Sequence, residues 1–351
     1  MNIFKRLNFI VLTWVVEALN KDVEDEEMVE GIDFAVGGQA VIEGVMMRSP
    51  NHISVAVRKE SGGIKVKNKA HQVLTQRFKF LNVPILRGVV NLFEMMIIGT
   101  DAINFSANEF VEEPEDEKSN NKEPSKLAKI GEALMFALSF VLAMALSIGL
   151  FKFIPLWVTT WLEGHSAYIA DNYIVFNLID GVLKMLIFLS YIFILSLIPS
   201  FRRIFEYHGA EHKSIFNYES KEPLTVKNSD KQIRFHPRCG TSFILIVFIV
   251  SIVFYTFIPK HPDFLTNLTL RVALLPFIAG ISYEYLKFSA KRMDNKLVKA
   301  MVQPGLWFQR LTTKEPDKKQ LEVGLRSLKE ALAMEKKVGV KGKVSPACLC
   351  G

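Results

Sequence analysis

Four apolar blocks, at about 133–155, 175–199, 241–259 and 270–288, govern what this 351-residue chain can fold into. Crossing a hydrocarbon core of about 30 Å takes roughly 20 residues of helix, and the blocks are of that order. Backbone inside lipid must satisfy its own hydrogen bonds, so each block is expected to be helical. Half of all residues (50%) are hydrophobic, and the excess sits in these blocks. The expected fold class is an α-helical integral membrane protein with about four transmembrane helices.

Orientation follows from the cations. Lys and Arg concentrate in 1–132, 200–240 and 287–351, whereas the connections near 156–174 and 260–269 contain only Lys260. The positive-inside rule then puts both termini and the central loop in the cytosol of a multi-pass protein of the cytoplasmic membrane. Anionic headgroups beside those loops account for the net charge of +7. No nucleic-acid-binding fold accompanies the basic residues, so sequence-specific nucleic-acid recognition is not expected. Phe9 to Val16 is apolar but short and leads into acidic residues, not a signal-peptidase site. Three cysteines make no disulfide framework. Cys239 is expected to stay reduced, and the Cys348-Leu-Cys350 tail lacks a third ligand.

Outside the apolar blocks the chain divides into four parts. Residues 1–33 read as a short interfacial helix followed by an acidic linker. Between 34 and 75 the hydrophobic period is two, which predicts a small meander of about three strands, one of them spanning Ala40 to Arg48. Such a sheet is too small to hold a core alone. The apolar stripe of 84–109 is its expected partner, and 34–110 together form a small cytosolic α+β domain. Residues 111–125 read as a disordered charged linker. The four-span domain is expected at 126–290, and 291–351 as a basic cytosolic segment.

The chemistry-bearing residues gather in the central loop. His208, Glu211 and His212 have i, i+3, i+4 spacing and share one helix face, and His236 and Cys239 precede the third block. The H-x-x-E-H spacing matches inverted zinc hydrolases, where two neutral imidazoles hold a metal and the carboxylate accepts a proton. A third ligand then comes from His236 or Cys239, with Glu284 and Glu43 as further candidates. Two metal-free readings compete: a buried polar network in which His and Glu satisfy each other, and a metal-free acid–base site. Gly209 weakens a helix by about 1 kcal/mol, which points to a close approach there.

Other polar residues carry less information. Glu43 and Arg48 lie on opposite faces if 40–48 is one strand, and so serve different neighbours. Asp180 and Lys184 form an i, i+4 pair near the outer end of the second block, either snorkelling to the interface or lining a path.

Gly37-Gly38-Gln39-Ala40-Val41-Ile42-Glu43-Gly44-Val45-Met46-Met47-Arg48-Ser49-Pro50 resembles the signature of the YqhQ-like family of bacterial membrane proteins. The resemblance continues at Pro84-Ile85-Leu86-Arg87-Gly88, at Tyr207 to Lys213, at His236 to Ser242 and at Ser282-Tyr283-Glu284, covering roughly 34–310. It implies a bacterial cytoplasmic-membrane protein of a family often labelled as metal-dependent enzymes.

The leading functional expectation is a divalent-metal hydrolase, with zinc on His208, His212 and one of His236 or Cys239. Glu211 would be its general base, with Glu43, Arg48 and Glu284 as possible additions. The alternative is a non-enzymatic accessory or scaffold in membrane-protein biogenesis, binding a translocon or ribosome through its cytosolic domain and basic tail.

Overall fold

The computed structural model describes residues 36–110, 126–290, 292 and 295–338. The interfacial helix and linker expected in 1–33, the charged linker at 111–125 and the Cys348/Cys350 tail lie outside them.

The alternating segment forms a four-stranded antiparallel meander in the order β1 (Gly37–Val41), β2 (Gly44–Arg48), β3 (His52–Arg58), β4 (Ile64–Ala70). The expected single strand over Ala40–Arg48 is instead a hairpin. Val41 pairs with Gly44, and Glu43 takes a left-handed φ of 50° in the turn between them.

Period-two alternation sends the strands' side chains to two covered faces. Val41, Met46, Ile53, Val55 and Val57 pack on helix α1 (Leu86–Phe110), through Met95, Ile98, Ala102 and Phe105. Val45, Met47 and Ala56 face the opposite way and meet Tyr207 and Ile215 together with Val323, Leu325, Leu328 and Leu332. The last four belong to a C-terminal helix, Lys318–Val338. The sheet is therefore a sandwich filling, and its second cover comes from the segment that the sequence assigns to a separate basic tail. Polar atoms lock this cover in place. Ser327 Oγ accepts from the Met47 N–H at 3.1 Å and donates to the Ser54 carbonyl at 2.8 Å. Glu335 accepts from Ser49 Oγ at 2.8 Å and the Asn51 N–H at 2.5 Å.

Among the described residues three stretches are long and apolar enough to cross a membrane: Ala137–Glu163, Tyr173–Leu197 and Phe264–Ser289. The first comprises most of α2 (Lys126–Ile148), a π-helical turn at Gly149–Phe153 and α3 (Ile154–Glu163). The second is α4 (Tyr173–Leu197), capped by Asn172, whose side chain accepts from the Ile174 N–H at 3.1 Å. The third expected block, 241–259, is the shorter apolar helix α6 (Gly240–Thr256) of 17 residues, which follows α5 (Pro199–Glu219). At 1.5 Å per residue it spans about 26 Å, and Pro259 lies just beyond its end. The third stretch bends at Leu274 between α7 (Phe264–Ala273) and α8 (Leu275–Ala290). Two more helices follow, α9 (Lys296–Thr312) and α10 (Lys318–Val338).

Candidate functional site

Helix α5 begins where the second apolar stretch ends. Ile198 is extended and Pro199 starts the new helix, because proline cannot continue the preceding hydrogen-bond ladder. His208, Glu211 and His212 then share one face of α5, and that face is buried, with Glu211 and His212 each 1% exposed. Two glycines allow the cover. A Cβ on Gly209 would stand 2.1 Å from the Lys314 carbonyl oxygen, where the chain after α9 crosses the helix. A Cβ on Gly38, in β1, would stand 2.7 Å from Glu211 Cγ. The close approach signalled by Gly209 is thus that of the C-terminal segment.

The two imidazoles are held in one tautomer. His208 Nδ1 lies 2.8 Å from the Thr312 carbonyl and His212 Nδ1 lies 2.5 Å from the Arg234 carbonyl. A carbonyl only accepts, so each neutral ring carries its proton on Nδ1 and presents a lone pair on Nε2. His208 Nε2 stands 3.1 Å from Cys239 Sγ. His212 Nε2 has no hydrogen-bond partner among the described residues. Candidate ligand atoms of His208, His212 and Cys239 all fall within 4.8 Å of one another. Beside them, Glu211 Oε2 is 3.9 Å from His208 Nε2, and Glu211 Oε1 is unpartnered.

Burial sets the electrostatics. It pushes the Glu211 carboxyl up to about 8, against the opposing pull of His208 and of the Gly38 N–H. Burial likewise lowers the His212 imidazole. At Cys239 burial favours the thiol, yet His212 and Thr241 outweigh it and bring the group below its ordinary value. The Thr241 hydroxyl lies 3.1 Å from Cys239 Sγ. The resulting chemistry is that of a soft, lone-pair-rich donor set with its second nitrogens already tied to backbone, the usual arrangement of metal-ligating histidines.

The remaining expected residues are distributed otherwise. His236 does not join the tight set. Its ring centroid is 5.7 Å from that of His212, and its Nε2 faces Glu219 Oε2 at 3.4 Å. Gln309 fixes its backbone, accepting from the His236 N–H and donating to the His236 carbonyl, each at 2.7 Å. Burial lowers its imidazole to about 4, while Arg238 pairs with the same Glu219. Glu43 bonds Arg203 and accepts from the Tyr207 hydroxyl at 3.1 Å. Arg48 faces Glu94 at 4.0 Å on the α1 side of the sheet. Glu284 takes the Arg87 guanidinium, with Nε at 2.6 Å, and so anchors the start of α1 to α8. Glu43 and Arg48 do serve different neighbours, because a turn separates them. Gly38, Thr312, Arg234 and Gln309 act through backbone or through a single amide, and only the Gly37-Gly38 pair carries a visible signal.

A small sheet clasped between α1 and α5/α10, joined to helices of membrane-crossing length and enclosing a buried His/His/Cys cluster, defines a helical protein with membrane-like spans. The chain matches the model of a family described as a protein of unknown function (DUF1385) over residues 83–334. It is 37% identical over 308 residues to the uncharacterized protein YqhQ of Bacillus subtilis (strain 168), covering 86% of this chain and 93% of that protein. The chain belongs to this YqhQ-like family. No solved structure matches it.

Proposed function

We propose that this protein is a multi-pass protein of the bacterial cytoplasmic membrane with four spans, cytosolic termini and a divalent metal centre at the cytosolic surface. His208 Nε2, His212 Nε2 and Cys239 Sγ hold the metal, zinc being the best match to two imidazoles and a thiolate. One observation carries this reading: a ligand atom from each imidazole and the Cys239 sulfur all lie within 4.8 Å of one another, while both Nδ1 protons are committed to carbonyls. A metal-free network would leave His212 Nε2 and Glu211 Oε1 buried and unpaired, at a cost of about 1–3 kcal/mol each.

The reaction class we assign is hydrolysis of a lipid-derived or peptide bond. The metal supplies Lewis acidity. Glu211, with one oxygen unpartnered and the other 3.9 Å from His208 Nε2, would carry the proton. The Gly38 N–H fixes its orientation. Anionic headgroups meet the basic loops.

The alternative role, an accessory or scaffold in membrane-protein biogenesis with a translocon or ribosome as partner, draws support from burial, since Glu211, His212 and Cys239 are each no more than 2% exposed. Glu211 would then be a fourth ligand, and the metal would tie α5 to the start of α6. Purified protein tests the two. A Glu211→Gln variant that keeps the metal but abolishes complementation of a deletion strain supports hydrolysis. Loss of metal together with thermal stability supports the structural role. Truncation of the C-terminal segment does not discriminate, because α10 is part of the sheet's core.

A further inference from the structure

A second buried polar cluster lies between the apolar helices, and its charges do not balance. Asp180 and Lys184 of α4 are 0% and 1% exposed, so this pair does not snorkel. Lys184 Nζ and Arg271 Nη1, from α7, both donate to Asp180 Oδ2. The other Arg271 terminal nitrogen donates to Asn177 Oδ1. A third cation, Lys152, projects from the π-helical turn of the first stretch and is also buried. All three surround the ring of Tyr255, at 5.3 Å for Lys152, 5.2 Å for Lys184 and 5.1 Å for Arg271. Among the described residues Asp180 is the only carboxylate bonded to any of them, and the Lys152 ammonium meets no hydrogen-bond acceptor there, only the ring face.

Three cations against one carboxylate leave a formal surplus of two positive charges in an apolar interior. Cation–π contact with one ring offsets only part of what burying an unpaired charge costs. Loss of a proton from a lysine or a counter-charge relieves such a surplus. Trp157 and Trp161, 56% and 57% exposed, follow Lys152 by five and nine residues on the same stretch. Exposed tryptophans mark the headgroup level of a span, and five residues of helix are about 7.5 Å. The cluster thus lies within reach of phosphate oxygens at the membrane surface on the side away from the His/Cys site.

We propose that Lys152, Lys184 and Arg271 form an anion site that takes a phosphate-class oxyanion, with Lys152 as its free contact and Asp180 holding the other two cations in place. The anion is either the phosphate of an anionic lipid entering between the helices or free inorganic phosphate.

Thermal unfolding of the full-length protein in detergent tests it, starting from gluconate buffer. One arm adds inorganic phosphate; the other adds dioctanoyl phosphatidylglycerol, with dioctanoylglycerol as the phosphate-free control. Binding at about a hundredfold excess over Kd raises Tm by about 5 °C. A response to the phospholipid alone assigns the site to lipid, and a response to both assigns it to the phosphate group itself. Lys152→Met removes surplus charge, so it is expected to raise Tm in gluconate and to abolish the response. Equal Tm in every arm overturns the proposal, as does a Lys152→Met protein that is less stable than wild type or responds unchanged.

Discussion

The two buried polar clusters of this molecule are opposites. The one on α5 has polar atoms without partners: among the described residues His212 Nε2 and Glu211 Oε1 make no hydrogen bond, and His208 Nε2 faces a thiol. The one between the apolar helices has an excess of positive charge, with Lys184 and Arg271 sharing one oxygen of Asp180 and Lys152 bonded to no carboxylate among the described residues. Burial penalises both kinds of imbalance, so each indicates what would relieve it. Bare lone pairs call for a cation, and surplus N–H groups call for an anion.

The largest expected effect lies where an acceptor is scarce. Asp180→Ala strands Lys184 and Arg271 together and is expected to cost about 3–5 kcal/mol, measured by denaturant unfolding in detergent. A loss below about 1 kcal/mol would mean the cations are solvated after all. Removing a carboxylate from the other cluster should act in the opposite direction. Glu211 is raised to about 8 in the fold from an ordinary 4.5. The folded state then binds more protons than the unfolded chain, and stability falls as pH rises through that window. In chelator-treated protein Glu211→Gln should flatten that fall and leave the variant more stable than wild type above pH 8. An unchanged slope would place the titration elsewhere.

Smaller effects test what holds the first cluster shut. Gly209→Ala drives a methyl group into the Lys314 carbonyl, with an expected loss of about 1–3 kcal/mol and impaired metal retention. Neutral behaviour would mean that the 312–316 segment lifts away freely. The smallest change is expected from Arg203→Ala. Arg203 is half exposed although it bonds Glu43, and solvent limits such a pair to about 1 kcal/mol or less. Its metal content should match wild type.

Much of this was legible in the residues, and the failures have physical causes. Apolar length announced the three stretches long enough to cross a membrane, whereas α6 ends at Thr256, short of the expected 241–259 block. Helical spacing placed His208, Glu211 and His212 on one face, which the fold keeps. It could not rank Cys239 over His236, because that choice depends on Gln309, a residue 70 positions beyond Cys239, fixing the His236 backbone. Period two revealed the sheet but not the turn at Glu43, since Ile42-Glu43 lacks the usual Asn-Gly or Asp-Gly turn chemistry. The role of α10 as the sheet's second cover was hidden by its charge: Leu321, Leu325, Leu328 and Leu332 form a stripe, but Lys and Glu fill the outer face and the segment reads as a basic tail. Long-range tertiary pairing such as Met47 with Ser327 leaves no local trace.

The central claim is that the α5 cluster relieves its bare lone pairs with a metal. Elemental analysis of protein purified in detergent without added metal or affinity-column nickel tests it most directly, with His212→Ala alongside. The expected result is about one divalent metal, zinc foremost, per wild-type chain and a large loss from the variant. Metal-free wild-type protein that stays folded and gains no thermal stability on zinc addition would contradict the account.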